Sequence, residues 1–147
     1  MNERVGMVEI SRKPHLYRES TAKGKIYLKE DTIKKIRKKE IKKGDVFSVA
    51  ATAATLAVKK TPEIIPLCHP IPITGVDVDF DVSDNFIEAK VRVKNVGQTG
   101  VEMESLVGVT TALLTIWDMV KYLEKENSQY PYTKISEVIV LEKIKGG

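Results

Sequence analysis

Sulfur and imidazole are scarce in this chain of 147 residues, which has one cysteine, Cys68, and two histidines, His15 and His69. A single cysteine excludes an intrachain disulfide framework and fits a reducing, cytoplasmic setting. One Cys and two His, with His15 near the start, give no zinc-ligand spacing, so no metal centre is expected. Aromatic residues make up only 6% of the chain and are not interleaved with its basic run, which disfavours base stacking on nucleic acid. No uninterrupted apolar run approaches the ~20 residues of a membrane span. Residues 1–11 lack the apolar stretch of a secretory signal, so none is expected.

What is present is a globular composition, 42% apolar and 30% charged, in a chain long enough for one domain with a real core. The formal charge of +4 fits an anionic small ligand or a nucleic acid and decides neither. Residues 1–18 read as an N-terminal arm, 19–143 as a single domain, and 144–147 as a flexible basic tail. Residues 21–28 alternate as a strand, with Ile26 and Leu28 on one face. Glu30, Asp31 and Thr32 open a helix that buries Ile33, Ile36 and Ile41 and exposes Lys34, Lys35, Arg37, Lys38 and Lys39, a solvated face. Gly44 is expected to end that helix and Asp45 to cap the next, over residues 46–59, which is Ala-rich and expected to be buried on most sides. Lys43 stands just ahead of that helix N-terminus, a place where anions settle. Pro66, Pro70 and Pro72 make residues 64–72 a stiff, extended, apolar loop that is expected to pack and that carries Leu67, Cys68 and His69. The bland readings of Cys68 and His69 are a small buried hydrophobe and a satisfied structural histidine.

Residues 76–82 and 86–96 alternate strictly and form a hairpin across Ser83, Asp84 and Asn85. A long helix follows the turn at residues 97–100 and runs to about residue 126. Leu106, Val109, Leu113, Ile116, Trp117 and Val120 form its apolar stripe. Residues 135–141 close the sheet. Strand, two helices, two strands, helix, strand is the order of a ferredoxin-like α+β domain: an antiparallel sheet, helices on one face, and an extra helix in the first crossover. The other sheet face then needs cover, and a second subunit is the simplest one.

Glu102 and Glu104 stand at the front of the long helix, and Asp118 and Lys121 near its back. Glu104 and Asp118 are separated by about 21 Å along the axis at ~1.5 Å per residue, on nearly the same side. Either they serve different parts of a long ligand or they serve sites shared with another chain. The bland readings are a first-turn acid meeting the helix dipole and an i,i+3 surface ion pair.

Three segments narrow this further: Lys43-Gly44-Asp45-Val46-Phe47, Ile65-Pro66-Leu67-Cys68-His69-Pro70, and Thr99-Gly100-Val101-Glu102-Met103-Glu104 with Asp118-Met119-Val120-Lys121 downstream. At this spacing the chain resembles the molybdenum cofactor biosynthesis protein C family, with Glu9 standing where that family usually has Asp. The resemblance implies an enzyme that rearranges a cyclised dihydro-GTP into cyclic pyranopterin monophosphate and releases pyrophosphate. It implies a homohexamer, a trimer of dimers, with sites at the dimer interface. It implies that Asp118 and Lys121 transfer protons with Lys43 nearby, a lysine of lowered pKa serving as base. On this reading His69 and Lys143 hold phosphates and Glu102 and Glu104 face the guanine-derived edge. Leu67, Cys68 and Met103 line the pocket. No cofactor is required, although Mg²⁺ could accompany the triphosphate. The alternative is a non-catalytic ferredoxin-like module that binds RNA or a nucleotide, and against it the sheet shows no RNP-like aromatic pair. A metal-dependent phosphohydrolase lacks a ligand cluster.

Overall fold

Strict alternation in the middle of the chain sets the frame. In a strand successive side chains point to opposite faces, so residues 87, 89, 91 and 93 share one face and 88, 90 and 92 the other. The computed structural model, which describes residues 3–146, builds this hairpin from β2 (Gly75–Val82) and β3 (Phe86–Gly97). The remaining elements are β1 (Leu16–Tyr27), α1 (Glu30–Arg37), α2 (Val46–Lys59), α3 (Thr61–Ile64), α4 (Glu102–Glu124) and β4 (Lys134–Lys145). All three ladders are antiparallel and the strand order is β2-β3-β1-β4, the ferredoxin-like α+β arrangement.

The core lies between the sheet and the helices. Ala22, Ile26, Ile87, Ala89, Val91 and Val93 are fully buried there, facing Val109, Ala112, Leu113, Ile116 and Val120 of α4. Among the described residues α4 is the one helix long and apolar enough, by length and composition, to cross a bilayer. Here its apolar stripe forms the centre of the core. It sits close to β1 because Gly24 has no side chain: a Cβ there would meet Val138 Cγ2 at 2.9 Å and Leu113 and Val109 at 3.0 Å.

Several expectations change. β1 begins at Leu16, so the arm stops short of residue 18, and β4 runs to Lys145. Ile144 and Lys145 therefore pair with Glu19 and Arg18 and are not a loose tail, while Gly147 lies outside the described residues. β3 runs one residue further than expected, to Gly97, and the helix starts after the turn, at Glu102, and ends at Glu124, short of residue 126. The first helix ends at Arg37, and Lys39, at φ 59°, turns the chain well before Gly44 at φ 118°. Asp45 does cap α2, its side chain accepting from the Ser48 N–H at 3.0 Å. α2 is buried on one side only, with Val49 and Leu56 exposed; it ends at Lys59, and Pro62 stands in the first turn of the short α3. Ile64 and Leu67 are about half exposed, so the proline-rich loop is less packed than its apolarity implied.

The open sheet face also differs from expectation. The inward Val and Ile of β1, β2 and β3 point at the helices, and the middle of the other face is charged. Asp77 and Asp79 of β2 lie beside Arg92 and Lys90 of β3, which lie beside Thr21 and Lys23 of β1. Lys23–Glu88 at 3.9 Å, Lys25–Glu137 at 3.5 Å and Arg92–Glu19 at 4.0 Å cross it. Exposed apolar side chains lie on the helical layer (Val49, Leu56, Met103, Leu114) and also on the open sheet face, where Tyr17 pairs with Val96 and Ile139 and Ile144 of β4 stand beside Lys23 and Glu19.

Candidate active site

Asp118 and Lys121 are three apart on α4 and therefore lean the same way. The loop between α1 and α2 brings Lys43 to the same carboxylate. Lys43 Nζ lies 3.0 Å from Asp118 Oδ2 and donates to the Asp118 carbonyl at 3.0 Å, while Lys121 Nζ lies 3.0 Å from Oδ1. One carboxylate is thus clamped between two ammonium groups. Hydrogen bonds from Lys43 and Lys121 hold Asp118 below the usual carboxylate range, and the Asp118 carboxylate holds Lys121 above the usual lysine value. A base lysine of lowered pKa was expected; the structure gives the opposite direction for Lys121, because it is exposed and paired with an acid, not buried among cations. Leu114, Trp117 and Ile135 wall a hollow of about 380 Å³ beside Asp118 and Lys121. Trp117 is fixed edge-on to Tyr130, with ring centroids 5.2 Å apart.

The remaining candidates gather at the other end of α4. The loop after α3 carries Leu67, Cys68 and His69 over the first turn of α4, where Glu102, Met103 and Glu104 stand, and Lys143 reaches in from the end of β4. Lys143 Nζ is 3.1 Å from Glu102 Oε1, and Cys68 Sγ donates to Glu104 Oε2 at 3.7 Å. Leu67, Cys68, His69, Glu102 and Met103 line a hollow of about 470 Å³. Glu104 is only 1% exposed and its Oε1 is buried without a hydrogen-bond partner. Burial pushes its pKa up. Burial first, then the Glu104 carboxyl, pushes the Cys68 thiol to about 11. This end therefore holds a thiol that stays protonated at neutral pH and a carboxyl biased toward its neutral form. Glu104 stands behind Cys68, whose thiol takes Oε2 and leaves the buried Oε1 without a partner.

Within one chain the two groups do not meet, since the span of α4 between Glu104 and Asp118 is about 21 Å. Among the described residues no group of three or more His, Cys, Asp or Glu is placed to hold a metal ion.

The sequence profile of the MoaC family matches residues 7–146. The chain belongs to the MoaC family. The match spans both groups of site residues, the arm and the end of β4. Over 142 residues the chain is 58% identical to a protein of Pyrococcus furiosus, covering 96% of this chain and 91% of the relative. Over 143 residues it is 56% identical to one of Thermococcus kodakarensis, covering 97% and 92%. Over 145 residues it is 53% identical to one of Methanococcoides burtonii, covering 98% and 91%. Each of the three is named a probable cyclic pyranopterin monophosphate synthase.

In this MoaC chain two further residues stand with the second group, and sequence reading passed over both. Arg18, placed in the arm, is a buried β1 residue whose Nε donates to the Gly97 carbonyl at 3.0 Å and whose Nη2 is buried without a partner. The signal was available: with β1 extended back to Leu16, Arg18 falls on the inward face with Ser20 and Ala22. Gln98, read only as part of a turn, donates from Nε2 toward the carbonyls of Ile10, Ser11 and Lys13. No sequence pattern signals such a contact.

Proposed function

We propose that this chain is a cyclic pyranopterin monophosphate synthase, a phosphorus–oxygen lyase of molybdenum or tungsten cofactor biosynthesis. Its substrate is 3′,8-cyclo-7,8-dihydroguanosine 5′-triphosphate, and its products are cyclic pyranopterin monophosphate and pyrophosphate. The observation that carries the reading is the Asp118 carboxylate held between Lys43 and Lys121. The reaction opens a purine ring, moves protons and closes a cyclic phosphate as pyrophosphate departs. It needs proton donors and acceptors, and cations against the phosphates. Lys121 begins protonated and serves as the acid. Asp118 begins ionised and serves as the acceptor, and Lys43 offsets the phosphate charge. The rearrangement is redox-neutral, so no resident cofactor is required, and Mg²⁺ can enter with the triphosphate.

At the other end His69, Lys143 and Arg18 offer donors to phosphate oxygens, and Glu102, Met103, Leu67 and Cys68 supply walls. One ligand cannot span about 21 Å of α4. The site is therefore composed from two chains, the Asp118 end of one against the Cys68–Glu104 end of another, within a homohexamer built as a trimer of dimers. The exposed Val49, Leu56, Met103 and Leu114 of the helical layer offer a surface for a second copy. Such an enzyme would work in the cytoplasm, where a nucleotide triphosphate is made.

Asp118→Ala and Lys121→Ala, assayed for pyrophosphate release from the cyclised nucleotide, should each lose at least about 100-fold, the lower range for general acid–base groups. Release near the parent rate would refute the assignment of that pair. Lys43 and Asp118 belong to one chain's cluster, so a test of sharing pairs Asp118 with a residue of the other group. The informative mixture is Asp118→Ala with His69→Ala. Random pairing of equal amounts should restore about a quarter of the parent sites, because each mixed pair has one intact combination. Activity no higher than that of either variant alone would refute sharing.

A further inference from the structure

Residues 8–13 lie across the second group of site residues and have no part in the reaction proposed above. None of residues 3–15 is buried, and Val8 is 73% exposed. The segment folds on itself, with the Ser11 N–H donating to Glu9 Oε1 at 2.7 Å and the Lys13 N–H to the Ile10 carbonyl at 2.9 Å. It is then docked by two side chains. Gln98 Nε2 faces the carbonyls of Ile10 at 3.2 Å, Ser11 at 3.3 Å and Lys13 at 3.2 Å. His69 Nε2 lies 2.6 Å from the Val8 carbonyl.

The chemistry of the two ties differs. An amide nitrogen has two hydrogens, so three carbonyls share them and each bond is long. A carbonyl oxygen only accepts, so His69 Nε2 must carry a hydrogen. A phosphate oxygen also only accepts, and as an anion it is the stronger acceptor. It can replace the Val8 carbonyl with no change of tautomer. The segment also separates two hollows. Ile10 and His69 line both the 470 Å³ hollow with Cys68 and Glu102 and a 310 Å³ hollow with Glu9, His15 and Gln98. Its release would join them, giving room for a ligand larger than either holds. A segment with no buried side chain and a few polar ties opens at low free energy.

We propose that residues 8–13 form a strap that Gln98 seats on His69, and that an anionic ligand oxygen takes the place of the Val8 carbonyl on His69 Nε2 and releases the strap. The proposal rests on the reading of His69 as a phosphate-holding group. Gln98 is a positioning residue and does not touch the substrate. The strap competes with the ligand, so loosening it improves binding without altering the chemical step.

The test uses the full chain, amide hydrogen exchange of residues 8–13, inorganic pyrophosphate as probe, and turnover of the cyclised nucleotide in parallel. Saturating pyrophosphate should speed exchange about tenfold, the equivalent of one net hydrogen bond. Gln98→Ala should speed it about as much with no anion present and should lower KM several-fold with kcat within about twofold, since the loosened tie is worth one such bond. Gln98→Lys, an ammonium with three hydrogens for three carbonyls, should restore slow exchange. Exchange unchanged or slowed by pyrophosphate, in protein that still turns the nucleotide over, overturns the strap and leaves the function standing. A raised KM in Gln98→Ala also overturns it, because the segment would then be part of the binding surface. Unchanged exchange together with no turnover by the parent chain defeats both readings.

Discussion

At Glu104 a carboxyl is buried with no ion pair among the described residues. Burial raises its folded pKa above the unfolded value, so the folded state holds the proton longer and stability falls as pH rises between the two values. Glu104→Gln, which cannot ionise, should therefore raise the thermal midpoint at pH 8, and the gain should vanish at pH 4; calorimetry at the two pH values checks it. Cys68, with its thiol at about 11, should react with iodoacetamide at pH 8 more than about 100-fold more slowly than an unperturbed thiol, because the thiolate is the nucleophile. Part of this was legible beforehand. Asp118 and Lys121 share a face by spacing alone, and the family motifs mark Lys43. The charge state of Lys121 was not legible, since it depends on whether the lysine meets an acid in water or a cation in a buried pocket. The partner of Lys143 was hidden too, because pairing across a sheet end leaves no periodic trace.

Elements with one clear period were readable and interrupted ones were not. β2, β3 and α2 fall within a residue or two of where alternation and the Asp45 cap place them. β1 and β4 were cut short for a physical reason. Their ladder shifts register between Thr21 and Ala22 and between Lys23 and Lys25, so the alternation of β4 breaks near Glu137 and Leu141. α4 is held from several sides. Gly108 lets it approach the sheet, since a Cβ there would lie 2.9 Å from Val58 Cγ2 and 3.0 Å from Val91 Cγ1. Both neighbours are stiff β-branched side chains, so Gly108→Ala should destabilise by about 1–3 kcal/mol in chemical denaturation. Leu113→Ala, at a fully buried position, should cost about 3 kcal/mol in the same measurement. The last turn of α4 is anchored by buried Glu124, which accepts from Thr32 and Thr133 hydroxyls and the Lys29 N–H. This steadies the turn that carries Lys121.

For the whole molecule, the sequence leads to an expected partner on the sheet face that the helices leave open. Counting inward Val and Ile cannot tell which sheet face the helices take, and here they take all of it. Leu56→Glu, on the exposed side of α2, should lower the assembly state measured by light scattering while leaving the circular dichroism unchanged. A parent chain that is already monomeric would remove the basis for that expectation. In the proposed pair, α4 also fixes how far apart the two composite centres stand. Both ends of the same rigid rod serve different centres, and about 21 Å of helix lies between them. That separation exceeds the ~8 Å screening length of physiological salt, so a triphosphate in one centre is electrostatically nearly invisible to its twin. Saturation with nucleotide should accordingly be hyperbolic, each centre filling without regard to the other.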